Sequence, residues 1–404
     1  PVASTTTVAV TTTVAPVAAT TTVAPAATTV APTTTTTTRP PPTTIPQEVL
    51  QRYDFSAVGP VVERFVGQHG LNGAGLIVVE QTDGVVYHQH WGEFTPDRVS
   101  FIASSSKMVA AGVLMRLHEQ GLLDIDAPVA DVVPWGSGNP TVTPVQLMSS
   151  SSGLVALQGG SQASVAYQPY LCQFLPTGTL QACGGQIFTT PDDDADVVQP
   201  DTEYRYGGAQ WQVVGAVAEA ASGKSWAELV DEVYVRPCGL DVLGFNNHFA
   251  DPGALLTLLL GGLPYPRVLG DPRALADTAN PNIEGGGYTT TGDYGNLLLM
   301  HLRGGLCGEN RVLSTESLVR MQSDRIGPTY GGSTDDGQGY GMGWFVNRAA
   351  GRITDGGLYG TQPWLVPSEG YGAYLVLEAS NTHGNALAGQ LYGMVDVAVR
   401  EGRR

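Results

Sequence analysis

The chain has 404 residues and a formal net charge of −17, from 20 Lys and Arg against 37 Asp and Glu. That balance excludes the basic footprint by which nucleic acid is bound, and no run approaches the roughly 18 apolar residues of a bilayer-spanning helix. With 42% hydrophobic and 14% charged residues, and abundant Gly and Pro, the composition is that of a loop-rich globular protein long enough for a sizeable core.

The first stretch, from "TTTVAVTTTVAP" to "TTTTTTRPPPTTIP", repeats Thr, Val, Ala and Pro up to about Pro46; its one charge is Arg39 and it has no aromatic residue. Such a segment cannot bury enough surface to offset its ordering entropy. Residues 1–46 therefore read as an extended stalk, open to O-glycosylation, of the kind that separates an envelope anchor from a catalytic domain; a passive linker has the same composition. The remainder, 47–404, reads as one domain. "YDFSAVGPVVERFVGQHG" predicts a helix ending at Gly70, and "AGLIVVEQTDGVVYHQHWG" a hairpin turning at Asp83-Gly84. "FIASSSKMVAAGVLMRLHEQG" predicts a helix with Val109, Val113, Leu114 and Leu117 on one face and a stop at Gly121. From about 124 to 290 the pattern is helix and loop. "GGGYTTTGDYGNLLL" predicts a turn and then a helix capped by Thr291 and Asp293. "GYGMGWFVNR", "GRITDGGLYG", "TQPWLVP" and "GYGAYLVLEAS" form an antiparallel meander, and "NALAGQLYGMVDVAVRE" a closing helix. The fold class is α+β: a sheet assembled from both chain ends and flanked by helices, with a mostly helical insertion.

Cys172, Cys183, Cys238 and Cys307 show no CxxC or Cys/His spacing suited to zinc. An even count beside a stalk fits an oxidising compartment and two disulfides. Of the three possible pairings the preferred one joins Cys172 to Cys183, which bracket a short loop, and leaves Cys238 for Cys307. His88 and His90 alternate on one strand face and suit a metal, although an exposed edge strand gives the same pattern. Asp192, Asp194, Asp196 and Glu203 echo a calcium loop, but Val197 stands where that loop needs glycine, so an acidic solvent loop is the default reading.

Three consecutive serines precede Lys107. Residues three apart share a helix face, so the Lys107 amine can reach the Ser104 hydroxyl, whereas Ser105 and Ser106 point elsewhere. A buried lysine loses its proton readily and can hold that of a nucleophile. A helix N-terminus also offers backbone N–H groups to a developing oxyanion. Alternatively, Ser104 is an ordinary N-cap.

With "GLLDIDAPV" behind it, this stretch resembles the serine β-lactamase and penicillin-binding-protein superfamily, in particular class C β-lactamases, D,D-peptidases and family VIII carboxylesterases. "VTPVQLMSSSSGL" resembles a second family stretch, with Ser150 where a histidine usually stands. "YRYGG" resembles the Tyr-x-Asn motif, with Tyr206 at the tyrosine and Gly208 at the asparagine, whose side chain normally binds a substrate amide and steadies the lysine. "GGGYTTTGD" resembles the turn that shapes the cleft wall. "DGGL" stands where the family carries Lys-Thr-Gly or His-x-Gly; a plain hairpin turn has the same letters.

The resemblance implies a β-lactamase/transpeptidase-like fold and acyl-enzyme chemistry. Ser104 would be the nucleophile. Lys107 and Tyr206 would move protons, the tyrosine as a general base beside two cations. Gly208, Asp355, Gly356 and Gly357 would line the substrate, and the N–H groups of Ser104 and Leu358 would hold the oxyanion. Asp355 in place of a cation would repel a substrate carboxylate, which favours small ester or neutral amide substrates. The alternatives are a D,D-peptidase or β-lactamase, and a catalytically weak homologue that binds a wall component or protein. No cofactor or metal is called for. The expected location is secreted or at the cell envelope, with tethering through the stalk.

Overall fold

The computed structural model describes residues 45–155, 168–189, 197–250, 252–259, 270–332, 334 and 337–404. Nearly all of the Thr-rich stretch, and Asp192, Asp194 and Asp196 of the calcium-like spacing, lie outside them. Ile45–Arg404 forms a single compact unit.

The first hairpin pairs β1 (Gly73–Glu80) with β2 (Gly84–Gly92), turning at the expected Asp-Gly. Short strands follow at β3 (Val99–Phe101), β4 (Leu243–Phe245), β5 (Gly287–Thr290), β6 (Leu306–Cys307) and β7 (Asn310–Arg311). The C-terminal meander supplies β8 (Gln338–Tyr340), β9 (Phe345–Asn347), β10 (Arg352–Thr354), β11 (Gln362–Val366) and β12 (Tyr371–Val376). Among the described residues these make one sheet of seven strands in the order β2-β1-β12-β11-β10-β9-β8, antiparallel throughout. The two chain ends meet where β1 lies against β12, from Gly75 opposite Val376 to Glu80 opposite Tyr371.

Both faces of this sheet are covered, and β1 shows why. Ala74, Leu76 and Val78 face one apolar cluster with the helices Val58–His69 and Asn381–Gly402. Ile77 and Val79 face the other, which holds the helices Ser106–Glu119, Ala209–Ser222 and Thr291–Leu302. Period-two alternation thus feeds two cores rather than a core and solvent. The first helix stops at Gly70 in the left-handed conformation (φ 59°), as its sequence predicts. No helix among the described residues is long and apolar enough to cross a membrane.

Three expectations change. The Ser106–Glu119 helix is not one-faced: every residue from Ser106 to Met115, and Leu117, is buried, because it runs between sheet and helical insertion. The region 124–290 is not wholly helix and loop, since β4 and β5 join β3 in a second sheet of order β3-β5-β4. And Thr290, not Thr291, caps the Thr291–Leu302 helix, accepting from the Asp293 N–H at 3.1 Å. Asp293 does take part, because its carboxylate accepts from Thr290 Oγ1 and from the N–H groups of Asp241 and Val242.

The small sheet is fixed to the large one by Glu378, just beyond β12. Its buried carboxylate accepts from Arg98 Nε at 2.8 Å, Ser100 Oγ at 3.0 Å and Asn72 Nδ2 at 2.6 Å. Cys172 is bonded to Cys183, and Cys238 to Cys307, which ties the end of one helical segment to the β6-β7 hairpin.

Candidate active site

The chain leaves β3 at Phe101 and tightens into a 3-10 turn, Ala103–Ser105, before the buried helix begins at Ser106. Ala103 sits at φ 45°, a left-handed conformation that a residue with a Cβ adopts only at a cost. The three serines are sorted by this turn. Ser105 Oγ donates to the Asp355 carbonyl at 2.8 Å, and Ser106 Oγ accepts from the Gly287 N–H at 3.0 Å; both side chains are fully buried. Ser104 is half-buried, and its Oγ accepts from Lys107 Nζ at 2.9 Å. None of the three serine side chains caps the helix.

Lys107 is wholly buried. Its Nζ also donates to the Glu284 carbonyl at 3.1 Å, lies 3.8 Å from the Glu284 carboxylate and sits 4.8 Å from the centre of the Tyr206 ring. Burial pulls its pKa below the ordinary lysine range, against the attraction of Glu284 and Asp355. Tyr206 is half-buried, stacks on Phe345 at 5.6 Å and meets Tyr340 edge-on. Burial and then the Asp355 carboxyl hold its hydroxyl well above the usual tyrosine range, while the nearby Ser104 hydroxyl works the other way. Among the described residues one cation, Lys107, faces this tyrosine rather than the expected two, together with two carboxyls, Glu284 and Asp355, which favour its neutral form.

Asp355 follows β10 directly and is fully buried, so it does not point to solvent. Neither carboxylate oxygen meets a hydrogen-bond partner of good geometry, although Lys107 and the Tyr206 hydroxyl lie close enough to favour the charged form. Burial outweighs them and pushes the carboxyl up to about 8. The chain reverses just beyond, where the Gly360 N–H reaches the Gly357 carbonyl, and β11 pairs back with β10. A side chain at Gly356 would meet Gln362, and one at Gly357 would meet Thr361 and the Ile102 carbonyl, so this strand end packs tightly against the Ser104 turn. Leu358, at the reversal, is 37% exposed.

Gly208 caps the helix Ala209–Ser222. A Cβ there would lie 2.0–2.2 Å from the three carboxyl atoms of Glu284. Glu284, not singled out in the sequence, thus fills the space that a side chain at 208 would take. It arrives there on a glycine-rich run, and Gly287 lets that run approach Ser106 Oγ, where a Cβ would come within 2.5 Å. Ser150 is buried at φ 58°; its carbonyl accepts from the Arg205 N–H at 2.7 Å and its hydroxyl from Gln210 Nε2 at 3.2 Å. It braces the segment that carries Tyr206.

The remaining candidates fall elsewhere. His88 and His90 stand 4.6 Å apart, half-buried rather than exposed; burial pulls His88 to about 4. No third His, Cys, Asp or Glu among the described residues joins them as a ligand. Glu203 pairs with Arg205 at 2.7 Å.

The sequence model of the family described as Beta-lactamase matches residues 59–392. D-alanyl-D-alanine-carboxypeptidase/endopeptidase AmpH of Escherichia coli (strain K12) is 23% identical over 340 residues, 77% of this chain and 80% of that protein. Penicillin-binding protein 4 of Amycolatopsis lactamdurans is 27% identical over 281 residues, 64% of this chain and 67% of its own length. The solved structure of EstCE1, a hydrolase with promiscuous acyltransferase activity, shares the fold with a TM-score of 0.63 at 19% identity, covering 88% of this chain and 98% of that one. With a family match over most of its length and that family's sheet-and-helix architecture, the chain belongs to the beta-lactamase family, within the superfamily of serine β-lactamases and penicillin-binding proteins.

Proposed function

We propose that this member of a serine hydrolase family cleaves small esters or neutral amides through an acyl-enzyme on Ser104. The observation that carries the reading is the 2.9 Å contact between Ser104 Oγ and the buried Lys107 amine. A lysine whose pKa burial has lowered can take the hydroxyl proton as Oγ attacks the carbonyl carbon. The N–H groups of Ser104 and Leu358 then hold the oxyanion. As the tetrahedral intermediate collapses, the proton on Lys107 passes to the leaving group. Tyr206, a neutral phenol, relays it by giving up one proton as it gains another. Water repeats the sequence in reverse to release the acid.

The choice of substrate class follows from Asp355. Where relatives of this resemblance carry a cation, this chain places a buried acid, which offers no attraction to a substrate carboxylate. A second reading, a peptidase or β-lactamase, is favoured by the named activity of the carboxypeptidase/endopeptidase relative. The two disulfides and the stalk-like N-terminal composition support an extracytoplasmic location, with residues 1–46 as a spacer suited to tethering at the envelope.

The test has two parts. A fluorophosphonate probe labels the wild type and not Ser104→Ala; equal labelling of both removes Ser104 as nucleophile. Short p-nitrophenyl esters are turned over in preference to nitrocefin; fast nitrocefin turnover without ester cleavage selects the second reading.

A further inference from the structure

We propose that Glu284 is the positioning residue for Lys107, its carboxyl standing in the space that Gly208 leaves open and holding the amine against the Ser104 hydroxyl. The proposal rests on the serine hydrolase reading and goes beyond it in naming what orients the base. Three observations carry it. Lys107 is tied to Glu284 twice, through the backbone carbonyl at 3.1 Å and the carboxylate at 3.8 Å. The Glu284 carboxyl occupies the space beside position 208, because a single added methyl would fall within 2.0–2.2 Å of each carboxyl atom and force it to shift. And Glu284 is brought in from 177 residues away in sequence, on a run that reaches the Ser106 side chain only because Gly287 has none.

Lysine is a flexible side chain with three rotatable donors, so an amine that must serve one hydroxyl needs a second acceptor to fix it. Glu284 supplies its backbone carbonyl as that acceptor at 3.1 Å, and its carboxylate adds the opposite charge at 3.8 Å. The charged or titratable groups that surround the pair are Asp355 beyond β10, Tyr206 before the Ala209–Ser222 helix, and Tyr359 in the reversal after Asp355. Among the described residues, the ion-pair contact of Lys107 is with Glu284 and with none of these three.

The pairing makes Gly208 and Glu284 one unit, which a double-mutant cycle reads directly. Gly208→Ala displaces the carboxyl without removing it, and Glu284→Ala removes it. Each single variant lowers both the fluorophosphonate labelling rate and ester kcat by about tenfold or more, with KM little changed, the equivalent of at least one pKa unit of lost interaction. The double variant is no slower than the worse single. Gly208→Asn/Glu284→Ala, which returns a polar side chain from the other partner, regains most of the loss. Glu284→Gln keeps shape and an acceptor oxygen but removes the charge, so the acid limb of the labelling rate moves to lower pH while the plateau stays near wild type.

Thermal midpoints establish that each variant is folded, and Glu284→Gln decides the matter if Gly208→Ala is not. If the singles multiply in the double variant, or Glu284→Ala and Glu284→Gln keep the wild-type rate and pH profile, the proposal is overturned and the hydrolase reading stands. If the wild type is not labelled at Ser104, both fall.

Discussion

Asp355→Asn is expected to make the protein more stable at neutral pH, and increasingly so as the pH rises. The folded carboxyl titrates at about 8 against an ordinary 3.8, chiefly because burial penalises the charged form. Between those values the folded chain holds a proton that the unfolded chain has released. Stability therefore falls as pH rises through this window, and is free of the penalty only below it. At pH 7 the cost is on the order of 4 kcal/mol, taking about 1.4 kcal/mol per pKa unit over the interval from 3.8 to 7. Asparagine does not titrate and carries none of this. Urea denaturation of both proteins at pH 5, 6, 7 and 8 gives the difference in unfolding free energy directly. That difference should grow in favour of Asp355→Asn by about 1.4 kcal/mol per pH unit. Taking the difference cancels groups common to both chains, such as His248 and His301, which burial lowers to about 3 and whose effect has the opposite sign. A pH-independent difference, or a variant that loses ground as pH rises, would refute the assignment of Asp355 as a buried, proton-holding acid.

Replacing Lys107 by methionine should lower ester kcat by roughly 10²–10⁴-fold, the usual worth of a positioned base, and should lower the thermal midpoint, because the Glu284 carboxyl is left without its cation. Losing the Cys238–Cys307 bond, which closes a 69-residue separation, should cost about 2–5 kcal/mol in denaturant titration, and more than losing Cys172–Cys183, which closes 11. Gly112→Ala puts a Cβ 1.8 Å from the Tyr234 hydroxyl, itself bonded to the Val109 carbonyl, and should destabilise by about 1–3 kcal/mol without moving KM.

Much of the fold could be read in the sequence because its signals are local. The Asp83-Gly84 turn between alternating runs is a hairpin, and the aromatic runs from Gly339 to Ser380 are a meander. The Ser104–Lys107 contact is equally local, since one helical turn separates the two residues. What lay hidden depends on chain segments meeting from a distance. Nothing in the spacing around Glu284 says that its carboxyl will stand beside Gly208, and a glycine at 208 reads as a loss until the acid that fills its place is seen. The Ser106–Glu119 helix carries Arg116, His118 and Glu119 in its last turn, which makes it read as one-sided; the burial of every residue from Ser106 to Met115 follows from the second core that the insertion builds over it. Thr290 and Thr291 are adjacent in a run of three threonines, and only the end of β5 decides which of them turns its hydroxyl to the helix. Asp355 was legible as a departure from a pattern, not as a buried group, because burial is a property of the strand end and the turn it packs on.

The pairing of β1 with β12 has a consequence for how this chain comes into being. A ribosome finishes the first hairpin long before it reaches Tyr371, so β1 spends most of synthesis with one edge open and no partner to close it. Its apolar run from Ala74 to Val79 is a hazard to a nascent chain, and closing the loop between Gly75 and Val376 is a slow, late event. Folding is thereby deferred until the chain is nearly complete. A molecule cut short between the Ser106–Glu119 helix and β12 would keep every residue of the Ser104 turn and still lack the strand that joins the two ends of the sheet, so translational truncation there yields an adhesive fragment rather than a small enzyme.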